Sequence, residues 1–318
     1  VQVAVGTHAL IQKDNTFAKL GLVVIDEQHR FGVAQRTELL KHGARMPHVL
    51  SMTATPIPRS LQLTLYGELE VSILDQLPKG RQPIITKVVS PLVRYTVYEH
   101  IDAEIAKGRQ AYVVCPVVAQ GANAELKSVK DEYDRLMKSV FKHRRLGLLH
   151  GQMKADEKDH AMRLFKQKEL DLLICTTVVE VGVDVPNATV MLIEGAERFG
   201  LAQLHQLRGR VGRNSEQGYC YVVPSTAQAV SQRLRELEQS TDGFHLSEVD
   251  LALRGPGEIY GRAQHGQLNL SFANLADTKL LKNARESAIW LISSGVDLLQ
   301  YKRLHEQTER YRRLTKLN

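Results

Sequence analysis

Residues 171–213 read DLLICTTVVEVGVDVPNATVMLIEGAERFGLAQLHQLRGRVGR, and the fold is decided there. The stretch opens on an apolar run, Leu172-Leu173-Ile174-Cys175, with no polar alternation. That is the pattern of a parallel strand buried on both faces. It closes on Gln206-x-x-Gly209-Arg210-x-Gly212-Arg213. Two arginines at this spacing are expected on one helical face, with glycines that let the backbone come close to a ligand. A guanidinium stays charged and offers a planar fork of donors, which suits a phosphate that gains charge during a reaction. Taken alone, the spacing would equally suit a salt-bridged surface helix.

Outward from this block the chain alternates. Ile84–Val89, Ala111–Cys115, Leu146–Leu149 and Gly218–Val223 read as strands. Pro91–Lys107, Ser128–His143 and Lys154–Gln167 read as helices. Val129, Tyr133, Leu136, Met137 and Val140 keep helical spacing in the second. Strands alternating with helices predict a parallel sheet covered on both faces. Thr176 and Thr177 follow their strand directly, where hydroxyls and backbone amides suit DNA phosphates. Glu180, Gly182 and Asp184 form an E-x-G-x-D loop, whose acids alone would read as solvated.

Toward the N-terminus, Val1–Gly6 reads as a strand and Thr7-His8-Ala9-Leu10 as a turn into a helix. Leu20–Ile25 is a second buried strand running into Asp26-Glu27-Gln28-His29. The C-terminal end of a parallel strand is where α/β sheets place their chemistry. Asp26 suits Mg²⁺ held through water, and Glu27 suits polarising the water that attacks a γ-phosphate. A third strand, Val49–Met52, leads into Thr53-Ala54-Thr55-Pro56-Ile57-Pro58-Arg59. Its prolines forbid a helix there. Thr53 and Thr55 can relay hydrogen bonds from the acid pair to another site. Pro78-Lys79-Gly80-Arg81-Gln82-Pro83 is a breaker-rich linker, and the domain boundary is expected at 78/79. No G-x-x-x-x-G-K-[ST] phosphate loop occurs in the sequence.

At 318 residues the chain has room for about two domains. It is 43% hydrophobic and 24% charged, and it has no apolar run long enough for a membrane helix. The first residues lack the pattern of a signal peptide. They also lack an initiator Met and begin within a strand pattern, so a fragment of a longer protein is expected. The net charge of +7 favours a polyanionic partner. Cys115, Cys175 and Cys220 each sit in an apolar strand-like run, and are expected as buried thiols and not metal ligands.

Past residue 225, Ala227–Ser240 reads as a helix carrying Arg233 and Arg235. The glycine-rich stretch around Arg254-Gly255-Pro256-Gly257 and Gly261-Arg262-Ala263-Gln264-His265-Gly266 reads as a long irregular loop of the functional kind. Residues 277–318 read as helical. Leu280, Leu281, Ala284, Ala288, Leu291 and Ile292 form an apolar stripe that includes Trp290, read as core. The basic residues Lys302, Arg303, Arg310, Arg312 and Arg313 suit DNA contact or a solvated face, and the solvated face is expected.

The opening block resembles motifs V and VI of superfamily 2 helicases, and DEQH with TATPIPR resembles motifs II and III. Over almost its whole length the chain resembles the C-terminal part of the RecG family, bacterial ATP-dependent DNA helicases and branched-DNA translocases. GTHAL (6–10), VVIDEQHRFGVAQR (23–36), TATPIPRSLQLTLYGELEVSILDQLPKGR (53–81) and TDGFHLSEVDLALRGPGEIYG (241–261) carry that resemblance. The Mfd type, which couples repair to transcription, shares several motifs and is the nearest alternative. A non-catalytic DNA-binding half-motor is the other.

The resemblance implies an α/β fold of RecA-like helicase lobes. The first would be a truncated ATP-binding lobe (1–78) whose phosphate loop lies further upstream, the second a helicase C-terminal lobe (79–225). A translocation hairpin, loop and helical appendage (226–318) would follow. It implies ATP and Mg²⁺ as cofactors, with Asp26 on the metal and Glu27, Gln206, Arg210 and Arg213 in hydrolysis. Gly182 and Asp184 would join the nucleotide site. His29, Thr53, Thr55 and Glu180 would couple hydrolysis to DNA. Thr7, His8, Thr176, Thr177, Arg233, Arg254 and Gln264 would meet or move the duplex. The segment GRAQHG departs from the family's usual spelling there, though it keeps the glutamine. The implied partner is branched double-stranded DNA, at forks and Holliday junctions, in recombination and repair. Single-stranded DNA-binding protein is a further candidate. A monomer in the bacterial cytoplasm, at the nucleoid, is expected.

Overall fold

The computed structural model describes residues 2–11, 15, 17–27, 47–54, 70–74, 76, 80–116, 122–177, 184–254 and 278–316. The chain divides into two compact units, residues 1–56 with 77–247, and residues 57–76 with 248–318.

In the first unit, strand β1 (Leu22–Ile25) pairs in parallel with β2 (His48–Ser51). Val23 and Ile25 are buried against Leu20, while Leu22 and Val24 face outward. Parallel pairing brings the carboxyl ends of both strands, and so Asp26 and Thr53, to one edge. Residues 2–6 form no strand, contrary to their apolar pattern, and Val3 and Val5 are exposed. Alternation marks a chain that can be extended, but a strand also needs a ladder partner. A 3-10 turn at His8–Ile11 follows, as the sequence predicts.

The larger sheet has six parallel strands: β3 (Ile85–Val88), β4 (Gln110–Val114), β5 (Leu146–Leu149), β6 (Leu172–Cys175), β7 (Ala188–Glu194) and β8 (Tyr219–Val223). Their order is β3-β8-β7-β4-β6-β5. The central strands β4, β6 and β7 are buried throughout, as their unbroken apolar runs require. Strand β7 lies inside the deciding block, between Pro186-Asn187 and Gly195, and the sequence reading does not single it out.

Helices α1 (Arg94–Ala106), α2 (Ala122–Arg135), α3 (Ala155–Lys166) and α4 (Leu201–Arg208) cover this sheet. Val97, Ile101 and Ile105 of α1 and Val129 of α2 pack with Ala111, Val113, Ile174 and Leu192. Tyr112 points to the other face and meets Phe165 of α3, ring centroids 4.9 Å apart. Side-chain alternation along β4 thus feeds both layers. The helix expected at 128–143 is α2 followed by a π turn at Leu136–Val140.

Two further expectations need correction. Helix α4 ends at Arg208, so Arg210 and Arg213 do not share a helical face. Gly209 caps it, and Gly212 takes the left-handed conformation (φ 63°). The helix expected at 227–240 is a 3-10 turn, Ala227–Ala229, and then α5 (Gln232–Gln239). Glu238 of α5 accepts the amide of Val88 on edge strand β3 at 3.0 Å. Helix α6 spans Gly243–Arg254.

In the second unit, residues 278–316 form α7 (Thr278–Ser293) and α8 (Lys302–Lys316), separated by left-handed Gly295 and a turn at Leu298–Gln300. The apolar stripe is on the surface: Trp290 is 59% and Ile292 79% exposed. Trp290 is therefore not core. Helical spacing defines a face but does not supply the element that covers it.

Candidate functional site

The first cluster stands at the carboxyl edge of β1 and β2. Asp26 is exposed directly after β1, and its Oδ1 accepts the Glu27 amide at 2.9 Å. Glu27 holds a left-handed backbone, φ 50°, an unfavourable state for a residue with a Cβ and one that gathers at functional sites. Its Oε2 accepts the Ala54 amide at 3.5 Å, and Met52 donates to the Ile25 carbonyl at 2.8 Å. The acid pair and the Thr53 segment are thus tied backbone to side chain. Asp26 offers an exposed hard oxygen donor at a strand end, which fits a Mg²⁺ held through water and phosphate.

The second cluster is built on the loop after α4. Arg213 Nη1 pairs with Asp184 Oδ1 at 3.1 Å, and its Nε donates to the Gly209 carbonyl at 3.1 Å. Arg210 and Gln206 are half-buried. A Cβ on Gly212 would come 3.2 Å from the Gly218 Cα, so this backbone crossing needs glycine. The glycine spacing predicts close backbone approach here, and at Gly212 the partner is the protein's own chain.

Thr176, directly after β6, is fully buried, and its Oγ1 has no hydrogen-bond partner among the described residues. Thr177 beside it is half-buried. Thr7 is exposed and accepts the Leu10 amide through its carbonyl, while His8 begins the 3-10 turn. Arg233 is half-buried on α5, and its Nη2 donates to the Glu197 carbonyl. Arg254 is the last residue of α6. His29, Thr55, Glu180, Gly182 and Gln264 lie outside the described residues.

Sequence reasoning missed two residues here, one that braces this cluster and one on the helix before it. Arg81 donates from Nε to the Gly212 carbonyl at 3.2 Å and from Nη2 to the Gly209 carbonyl at 3.3 Å. Burial and the neighbouring Arg213 charge lower its pKa, and Asp184 opposes them. Gln82 reaches the Ser215 carbonyl at 3.1 Å and Gln217 the Pro83 carbonyl at 2.7 Å. What reads as a plain linker is thus zipped to the arginine loop. Arg208 is the second: it is 3% exposed and turned inward beneath the loop. Its place two residues before Arg210 is visible in the sequence, but nothing there says which way it points.

Other perturbed groups belong to the scaffold. Glu194, at the end of β7, is pushed up to about 7 by burial, with Arg94 at 3.0 Å opposing. Burial also raises all three thiols, which are free and buried as expected. Among the described residues no group of three or more His, Cys, Asp or Glu could hold a metal, and no helix is long and apolar enough to cross a membrane.

Comparison with known proteins follows this geometry. The family described as Helicase conserved C-terminal domain matches residues 94–215. ATP-dependent DNA helicase RecG, domain 3, C-terminal matches 240–316, and DEAD/DEAH box helicase matches 1–64. The chain is 54% identical over 286 residues to the ATP-dependent DNA helicase RecG of Synechocystis sp., covering 89% of this chain and 34% of that protein. It is 48% identical over 301 residues to that of Thermotoga maritima, covering 94% and 38%. The chain thus spans about a third of the length of these curated relatives (34% and 38%). A structure of RecG bound to a three-way DNA junction is similar at 45% identity and a TM-score of 0.66, over 87% of this chain and 36% of that one. Mss116p bound to single-stranded RNA and AMP-PNP shares the fold, at 18% identity and a TM-score of 0.53, over 74% and 49%.

Proposed function

We propose that the chain is a RecG-type C-terminal helicase part, the arginine-bearing and DNA-moving portion of an ATP-dependent double-stranded DNA translocase. Residues 1–78 are the back of the ATP-binding lobe, 79–225 the second lobe, and 226–318 the translocation element with its helical appendage. The substrate is branched DNA, forks and Holliday junctions, recognised by shape and backbone with little base reading. Single-stranded DNA-binding protein is a candidate partner, and the working form is a monomer in the bacterial cytoplasm, at the nucleoid.

One observation carries this reading most: Arg213 rests on Asp184 while Arg81 grips the carbonyls on either side of Arg210. A loop held this way presents guanidiniums with little reorganisation left to complete, which is what stabilising a developing phosphate charge asks for. Arg210 and Arg213 act as arginine fingers, an arrangement worth roughly 10³–10⁵ in rate in nucleotide hydrolases. Glu27, its carboxylate steadied by the Ala54 amide, orients the attacking water and takes up its proton. Asp26 is the residue to hold Mg²⁺, which when bound neutralises phosphate charge. Thr53 and Thr55, with His29 and Glu180, relay the state of the nucleotide to the DNA. Thr7, His8, Thr176, Thr177, Arg254 and Gln264 meet the duplex, and Arg233 acts on it through the helix it anchors.

No G-x-x-x-x-G-K-[ST] lies within the 318 residues. On its own this segment therefore binds DNA without turning over ATP. The test is unwinding of a three-way junction by a full-length protein carrying the segment. Glu27→Gln should bind the junction and fail to unwind it. Unimpaired unwinding by Glu27→Gln would refute the assignment.

A further inference from the structure

The sheet face beneath α1 does not end where the helix does. Tyr219 and Tyr221 on β8 register with Val190 and Leu192 of β7 on one side, and with Ile85 and Lys87 of edge strand β3 on the other. Alternate residues at matching register share one face of a sheet. Val190 and Leu192 are buried in the core under α1, and the tyrosines are half-buried against it. Ile85 is 41% exposed, beside exposed Lys87. Across two strands this layer therefore passes from core to surface.

That surface is aromatic and basic. The rings of Tyr219 and Tyr221 are parallel, 2° apart in plane and 6.5 Å between centroids. His100 of α1 stands edge-on to both, at 4.6 and 5.7 Å, and its Nδ1 is 3.2 Å from Tyr221 Oη. Burial lowers the His100 pKa, with Glu104 opposing and Lys107 and Lys87 assisting, so its ring is uncharged at neutral pH. Lys87 makes no ion pair among the described residues, whereas Lys107 is tied to buried Glu104 at 2.6 Å. The other acids of α1, Glu99 and Asp102, stand about 100° and 200° round the helix from His100. Glu238 accepts the Val88 amide at the outer edge of β3, so what stays open is the face of the strand.

Parallel aromatic rings on a sheet face, with a cation beside them, suit unpaired bases. Every base has a face to stack on a ring, and its phosphate meets the lysine. A duplex keeps those faces inside its own stack. We propose that the face formed by Tyr219, Tyr221, His100 and Lys87 binds an unpaired DNA strand, with bases on the tyrosine rings and a phosphate on Lys87. This rests on the reading of the chain as part of a DNA translocase, whose unwinding would release such a strand. The face is a different surface from the strand end that carries Thr176 and Thr177. Stacking reads no base edge, so the site has little sequence preference.

The experiment uses full-length protein carrying this segment and oligothymidylate containing 5-iododeoxyuridine. Irradiation should crosslink the strand to Tyr219 or Tyr221, as read by peptide mapping. Tyr219→Leu combined with Tyr221→Leu keeps apolar packing and removes the rings, and should bind oligothymidylate about tenfold or more weaker. Its binding of an abasic strand of equal length, and its ATP turnover on a three-way junction, should match wild type. A merely structural role would lower all three together with the thermal midpoint. Lys87→Gln should reduce the slope of log affinity against log salt by about 0.7, and it decides if the tyrosine variant loses its cooperative unfolding transition. Crosslinks that avoid both tyrosines, unchanged oligothymidylate affinity in the folded tyrosine variant, or an unchanged salt slope overturns the site and leaves the face to a protein partner. If that happens while wild type turns over ATP on the junction, this site falls alone. If wild type crosslinks here yet neither turns over ATP nor unwinds the junction, the site stands and the translocase reading fails.

Discussion

Arg213 sits 3.1 Å from Asp184, joining the arginine loop to the loop that follows β6. Both side chains keep solvent access, 31% for the arginine and 57% for the aspartate. Such a pair adds little to stability, about 0–1 kcal/mol. Its effect should be on function. Asp184→Asn in the full-length protein should leave the thermal midpoint within about 2 °C and lower ATP turnover about tenfold or more. A large loss of midpoint with normal turnover would make the pair structural.

Arg81 holds the carbonyls of Gly209 and Gly212 from the linker side. Arg81→Ala removes both donors and should cost about 1–3 kcal/mol in chemical denaturation. Turnover should fall with it, chiefly in kcat, because the loop carrying Arg210 loses its brace. Steady-state kinetics at saturating junction DNA would show the split.

Gly212 combines φ 63° with a backbone crossing against Gly218. Gly212→Ala should destabilise by about 1–3 kcal/mol and reduce turnover through displaced Arg213. Gly80 is also left-handed but has nothing near its Cβ position. Gly80→Ala should therefore show only the smaller cost of its backbone conformation. Thermal unfolding of the two variants, side by side, separates crowding from conformation.

Two groups give opposed pH dependences. Glu194 is raised from 4.5 to about 7, so its contribution to stability is present below pH 4.5 and lost as pH rises through 7. His205 is lowered from 6.5 to about 4 by burial and the neighbouring Arg208 charge, so its contribution is present above pH 6.5 and lost as pH falls through 4. In the window between, the slopes offset each other. Relative to wild type, Glu194→Gln should make stability rise more steeply with pH, and His205→Gln should make it fall. Denaturation midpoints at pH 5 and pH 7 read both signs.

Much of the six-stranded sheet is legible in the sequence because its strands are short and its central ones are apolar on both faces. The β6 run and Leu146–Leu149 coincide with the observed strands almost residue for residue. Errors fall where an element depends on a partner elsewhere. Among the described residues, 2–6 have no ladder partner and Trp290 and Ile292 are exposed, and neither shows in local spacing. The candidate site was legible as residue types: carboxylates after β1, threonines after β6, arginines after α4. What holds them was not. Arg81 and Arg208 work through backbone carbonyls distant in sequence, and a carbonyl acceptor leaves no trace in residue identity.

On the proposed function, the loop after α4 supplies the charge that drives ATP hydrolysis. The most direct measurement is ATP turnover by full-length protein carrying this segment, with and without a three-way DNA junction, in wild type and Arg210→Ala. Junction-stimulated turnover should appear in wild type and fall by about 10³-fold or more in Arg210→Ala, while junction affinity stays nearly unchanged. Turnover in Arg210→Ala equal to wild type would remove this loop from the chemistry.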